Sequence, residues 1–164
     1  MPYPVFYLDS SAITKRYCFE AGTEFIDFLF AFGLKNPGHL FTAAHAIVEV
    51  CSAIYMKSRM KIIDPEEAYS PVEVYIEESV FALELIGTDI DLYNHALNYL
   101  RNHTLRAGDA IHISAAQKLY TQYETEMYFV SADNRQSDAA HAEGFAILNP
   151  SEDKAVAVLD SLLF

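Results

Sequence analysis

Basic residues are scarce in this chain: 11 Lys and Arg stand against 23 Asp and Glu, a formal charge of −12. A protein of that sign is repelled overall by nucleic acid, where affinity ordinarily comes from neutralising phosphates. Any role on RNA or DNA therefore has to rest on a local field and not on the whole surface. Cysteine is nearly absent. Cys18 and Cys51 form no CxxC pair, and both fall in apolar helical patterns, which predicts buried free thiols in a reducing cytoplasm. Long hydrophobic runs are missing too: stretches such as FLFAFGL fall far short of the roughly 20 residues that span a bilayer, so no membrane association is expected. The N-terminus has no basic segment ahead of its apolar one, and Asp9 interrupts early, so no secretory leader is expected either. No repeat, low-complexity tract or Pro/Gly/Ser-rich linker divides the chain.

What remains is an ordinary globular composition, 52% apolar and 21% charged over 164 residues. That length suits one domain able to bury roughly 70% of the surface its unfolded form exposes. Val5 to Leu8 reads as a first strand, and Ser11–Phe19 and Thr23–Phe32 carry helical spacing, broken by Gly22 and stopped at GLKNPG. The stretch FTAAHAIVEVCSAIYMKSRM shows a helical stripe through Ala44, Ile47, Val48, Cys51, Ile54 and Tyr55, with Thr42 placed as its N-cap. A further helix is expected to start near Pro65 and run towards Leu85. LIGTDI reads as a short strand, DLYNHALNYLRN and AGDAIHISAAQKLY as helices, MYFVSAD as the clearest strand, Gln136–Ala142 as a short helix and GFAIL as the last strand. Short apolar strands alternating with helices predict a parallel sheet covered on both faces, a three-layer α/β/α domain over residues 1–150. Residues 151–164 form a helical tail, with Val156, Leu159 and Leu163 on one face, packing on the domain or on a partner.

Ligands gather at the carboxyl ends of strands in such sheets. Asp9 ends the first strand and Asp133 follows MYFVSAD, so both point into one crevice if those strands are neighbours. Asp109 opens the helix GDAIHISAA, and Glu49 lies mid-helix on a face shared with His45 and Ser52. Taken singly, each Asp is a good N-cap, worth about 1 kcal/mol with no function attached, and a mid-helix Glu is ordinarily solvated. Together they bring up to four carboxylates to one cleft, where they repel and raise one another's pKa values unless a hard divalent cation is held there.

The stretches FYLDSSAITKRY, HAIVEVCSAI, LRAGDAIHISAA and FVSADNRQSDAAHAEGFAILNP resemble the four acidic motifs of PIN-domain nucleases, in particular the VapC-type toxins of bacterial and archaeal toxin–antitoxin pairs. The likeness runs from Tyr7 to Pro150, in the family's order and at similar spacing. Ser10 and Ser131 stand where threonine is usual, and both keep a hydroxyl. The resemblance implies a PIN-like fold and a Mg²⁺- or Mn²⁺-dependent endoribonuclease that leaves a 5′-phosphate and a 3′-hydroxyl. It implies Asp9, Glu49, Asp109 and Asp133 as the catalytic acids, with Asp9 and Asp109 as the main metal ligands. Glu49 and Asp133 complete the cluster directly or through water, and Ser10 or Ser131 orients a ligand or a phosphate. It also implies an RNA substrate, a cognate antitoxin and a homodimer. Lys15, Arg16, Arg106 and Arg135 flank the acids in sequence, and Lys57, Arg59 and Lys61 cluster after the Glu49 helix, offering local positive charge for substrate.

Two other readings use the same residues. The pairs His45/Glu49 and Asp109/His112 have spacings that share a metal, which points to a transition-metal site in a mostly helical protein. A PIN fold that fails to hold metal would be a catalytically silent binding module. A dehalogenase-type phosphatase needs a second Asp two residues after the first, and that position is Ser11.

Overall fold

The segment VFYL is buried at every position because it forms the middle of a sheet with helices on both faces. A computed structural model describes residues 3–64, 69–123 and 126–163. The order of elements is β1 (Val5–Leu8), α1 (Ser10–Tyr17), α2 (Thr23–Lys35), β2 (Leu40–Ala43), α3 (Ala46–Arg59), α4 (Tyr69–Ala82), β3 (Glu84–Ile86), α5 (Ile90–Asn102), α6 (Ala107–Gln122), β4 (Met127–Val130), α7 (Asn134–Ala142), β5 (Ala146–Leu148) and α8 (Ala155–Leu163). The five strands are all parallel, in the order β3-β2-β1-β4-β5. This is the expected three-layer α/β/α architecture.

Alternation along β1 divides the core. Phe6 and Leu8 face a cluster built with α1, α2, α3, α4 and α8, while Val5 and Tyr7 face a second cluster built with α5, α6 and α7. The chain moves outward from β1 through β2 to β3, then returns to the other side of β1 as β4. That reversal opens a crevice between the carboxyl ends of β1 and β4, which run in register with Leu8 beside Val130.

Three expectations need correction. Residues 40–43 form a strand and not the start of a helix, so Thr42 is no N-cap: its fully buried hydroxyl donates to the Leu8 carbonyl at 2.7 Å. Four consecutive buried residues merged with the helical stripe that follows, and the helix itself starts at Ala46. Cys18 and Cys51 are free thiols but only half-buried. The expected helix start near Pro65 lies outside the described residues, and α4 is described from Tyr69. In α8 the buried face is Ala155, Leu159 and Leu163, whereas Val156 turns outward. No helix among the described residues is long and apolar enough to cross a membrane.

Gly33 shows how closely α2 sits on the sheet. A Cβ there would lie 2.5 Å from Leu40 Cδ1 and 3.1 Å from the Ala82 carbonyl oxygen. Gly33→Ala gains about 1 kcal/mol of helix propensity but overpacks a closed core, a cost of about 1–3 kcal/mol. A net loss of stability is expected, read as a lower urea midpoint at unchanged slope.

Candidate active site

The crevice between β1 and β4 is lined by carboxylates. Asp9 follows β1 in extended conformation and caps α1, with Oδ1 accepting from the Ala12 amide at 2.8 Å. Ser11 Oγ donates to the same carboxylate at 2.9 Å, and Ser131 Oγ, from the end of β4, donates to Oδ2 at 2.9 Å. Ser11 Oγ in turn accepts from the Ala132 amide at 3.0 Å, so hydroxyls lace the two strand ends together around one acid. Asp9 is only 1% exposed, and no Lys or Arg among the described residues pairs with it. Burial pushes its carboxyl up from the ordinary value of 3.8, against the opposing pull of His112 and of the amide and serine hydrogen bonds.

Glu49, in the first turn of α3, reaches back over the same crevice. Its Oε2 accepts from Ser10 Oγ at 2.8 Å and pairs with His112 Nε2 at 2.7 Å, while Oε1 lies 3.2 Å from His45 Nε2. Partial burial works to raise this carboxyl, but His112, Ser10 and His45 outweigh it and hold Glu49 below the usual carboxylate range. Gly108 makes room for it: a Cβ at that position would stand 2.3 Å from Glu49 Oε1.

Asp109 and Asp133 come from the helices that flank the crevice. Asp133 caps α7, accepting from the Gln136 amide at 3.1 Å. Asp109 is not an N-cap. It sits at the third position of α6 and reaches backward to accept from the Arg106 amide at 2.9 Å. All four acids, with Ser10 and Arg106, line one cleft of about 330 Å³.

The remaining expected site residues divide. Arg106 is exposed at the cleft mouth. Ser131 is fully buried behind Asp9, where it orients that carboxylate and is shielded from any phosphate. Arg135 lies 3.7 Å from Asp133 Oδ2 but lines a separate depression beside His103. Lys15 and Arg16 turn away from the cleft: Lys15 pairs with Glu20, and Arg16 binds both oxygens of Glu78 and one of Asp27. Lys57 also pairs with Glu20. The transition-metal reading fails on two counts, since the protein is built on a five-stranded parallel sheet and both His112 nitrogens are engaged, Nδ1 by Tyr7 and Nε2 by Glu49. Sequence reasoning placed His112 near the site but missed its bond to Glu49, and it missed Tyr7 and Gly108 altogether. The one available signal was the i, i+3 spacing of Asp109 and His112.

Among the described residues, no three His, Cys, Asp or Glu side chains converge into a preformed metal cage. The donor set nevertheless fits Mg²⁺ or Mn²⁺ and not a softer ion. It is an open cleft of carboxylate oxygens, and Mg²⁺ binds through one or two carboxylates while keeping several waters. Asp9 is the strongest candidate ligand, being buried and without a countercharge, with Asp109, Asp133 and Glu49 around it.

No protein-family model and no curated protein matches the sequence. Solved structures do match. The chain is similar to PAE2754 from Pyrobaculum aerophilum, with a TM-score of 0.65 at 13% identity, covering 96% of this chain and 90% of that one. It is also similar to FitAcB from Neisseria gonorrhoeae, with a TM-score of 0.61 at 13% identity, covering 89% of this chain and 98% of that one. The fold is PIN-like. At this identity the likeness is one of fold, so the chemistry of the PIN-like cleft has to be argued from its own residues.

The raised Asp9 carboxyl fixes the sign of one pH effect. A group whose folded-state pKa lies above its unfolded value stabilises fully below the unfolded pKa, and that stability is lost as pH rises through the folded value. Metal-free protein is therefore expected to lose stability upward from about pH 4 through this group. Asp9→Asn, which keeps a cap at α1, should flatten that loss and raise Tm at neutral pH by about 2–4 °C for each kcal/mol recovered. Thermal melts across pH in EDTA check this.

Proposed function

We propose that this protein is a metal-dependent endoribonuclease, the toxin of a toxin–antitoxin pair. The observation that carries the reading is Asp9: a carboxylate buried at the sheet's switch point, held by an amide and two serine hydroxyls, paired with no Lys or Arg among the described residues, and facing three further acids across one cleft. Such an arrangement costs stability unless a cation completes it. The four motifs resembling VapC-type toxins and the PIN-like fold support the same reading.

A bound Mg²⁺ or Mn²⁺ supplies charge neutralisation at the scissile phosphate and acidifies an attacking water. The chain's own residues do the rest. Asp9 and Asp109 offer the principal oxygen ligands, with Asp133 and Glu49 completing the set directly or through water. Glu49, held below the usual carboxylate range, stays ionised and is available to orient water. Arg106, which lines the cleft and is exposed, offers a guanidinium suited to an RNA phosphate. RNA affinity is expected to be modest and salt-sensitive. An antitoxin and a second copy of the chain are the partners this reading carries.

Asp109→Asn isolates the chemistry from the fold, because an amide oxygen still accepts from the Arg106 amide. Wild-type protein is expected to cleave a mixed RNA pool with Mg²⁺ or Mn²⁺ and not with EDTA, while Asp109→Asn, folded by circular dichroism, falls to background. Cleavage by the variant at wild-type rate would sink the assignment. Absence of both cleavage and metal-induced stabilisation in wild type would leave a silent PIN-fold binding module.

A further inference from the structure

Tyr7 and His112 lie beneath the cleft, 0% and 2% exposed, and neither lines it. Tyr7 OH is 2.8 Å from His112 Nδ1, and His112 Nε2 is 2.7 Å from Glu49 Oε2. The Tyr7 ring stacks on Phe129 of β4, with centroids 5.3 Å apart, and meets the His112 ring edge-on at 5.9 Å, which leaves neither ring free to turn. A phenol has one proton to give. An ionised Glu49 can only accept, so Nε2–H donates to Glu49, and Nδ1, left without a proton, accepts from Tyr7 O–H.

We infer that Tyr7 and His112 are positioning residues for Glu49: Tyr7 fixes the Nε2–H tautomer of His112, and His112 with Ser10 pins Glu49 Oε2 so that Oε1 is presented to the cleft above Gly108. A histidine buried for packing alone needs only some acceptor. This one ends on a cleft carboxylate, on the same oxygen that Ser10 Oγ holds from the other side at 2.8 Å. The other oxygen, 3.2 Å from His45 Nε2, lies where a Cβ on residue 108 would collide at 2.3 Å, so the glycine leaves Oε1 its room at the cleft. The chain of bonds thus joins β1, α6 and α3, and its effect is to fix one acid. Its value for catalysis rests on the nuclease reading. Partners of this kind, one step behind a metal ligand, typically change metal affinity or activity by 10–100-fold.

The test uses the full chain and begins without metal. Long-range ¹H–¹⁵N correlation spectra of the wild type read the His112 tautomer, and the Glu49 carboxyl carbon shift reads its hydrogen bonding. These are followed in Tyr7→Phe, which removes one oxygen, and in His112→Leu and His112→Gln, the last keeping an N–H donor where Nε2 stood. The proton is expected on Nε2 in wild type. The Glu49 carbon should shift in Tyr7→Phe and His112→Leu and return towards the wild-type position in His112→Gln. Calorimetric Mn²⁺ affinity should fall about 10-fold in His112→Leu and largely recover in His112→Gln. A proton on Nδ1, or a Glu49 carbon unmoved by Tyr7→Phe and His112→Leu, would overturn the inference. If His112→Leu does not fold, the wild-type tautomer and Tyr7→Phe decide alone. Wild type that neither binds Mn²⁺ nor cleaves RNA defeats the nuclease reading, while the metal-free spectra still judge the positioning.

Discussion

The burial of Asp9 is the constraint around which the rest of this protein is arranged. A carboxylate with 1% exposure and no Lys or Arg partner among the described residues is costly to hold. The sheet topology leaves no other place for the residue that follows β1, because β2 and β4 close on both sides of that strand. What makes the position tolerable is complete hydrogen bonding: one amide at the start of α1 and two serine hydroxyls, one of them from the neighbouring strand end. Removing any of these donors uncovers an acceptor in a place that water reaches poorly. Of the two serines that stand where the resembling family has threonine, Ser131 orients this buried acid, while Ser10 holds Glu49 instead.

The distribution of basic residues follows from the same economy of charge. Lys15, Arg16 and Lys57, which flank the acidic motifs in sequence, are bound to Glu20, Glu78 and Asp27 and tie α1 to α2, α3 and α4. Tyr17 joins that network through Glu78 at 2.7 Å. With those cations committed to helix packing, Arg106 is left as the basic side chain lining the acid cleft. An acidic cleft on a chain of net charge −12 cannot draw a phosphate by its own field. Under the proposed function, a divalent ion would reconcile the two, so the acidity of the sequence does not by itself weigh against a nuclease.

Much of the site was legible because strand ends and helix caps leave local marks. Asp9 and Asp133 each follow a short apolar run and precede a helix, and both are N-caps facing one crevice. Asp109 was found for the right cleft and the wrong reason, since a side chain at the third helical position reaches backward to an amide that spacing does not reveal. β2 was missed because LFTA runs without a turn into an alanine-rich helix and no period marks the boundary. Lys15 and Arg16 were misplaced because six or seven residues beyond Asp9 a helix has carried its side chains away from the cleft face. The Tyr7–His112 contact spans 105 positions, and nothing in the neighbourhood of either residue announces the other.

The two best-defined acids of the cleft are held in opposite electrostatic settings. Asp9, desolvated and bonded mainly by hydroxyls, is pushed up; Glu49, bonded by His112 and flanked by His45, is held down. Carboxylates that merely shared a cleft would repel symmetrically. Here the histidines stand on the Glu49 side and the buried serine on the Asp9 side, so the asymmetry is built into which residues back each acid. Groups whose environments drive them apart are suited to different tasks. Under the proposed function, Glu49, held below the usual carboxylate range, would be the acid that stays ionised to orient water. Asp9, buried and raised, would under the proposed function be the anchor for a cation, since its charged form is the one that burial disfavours.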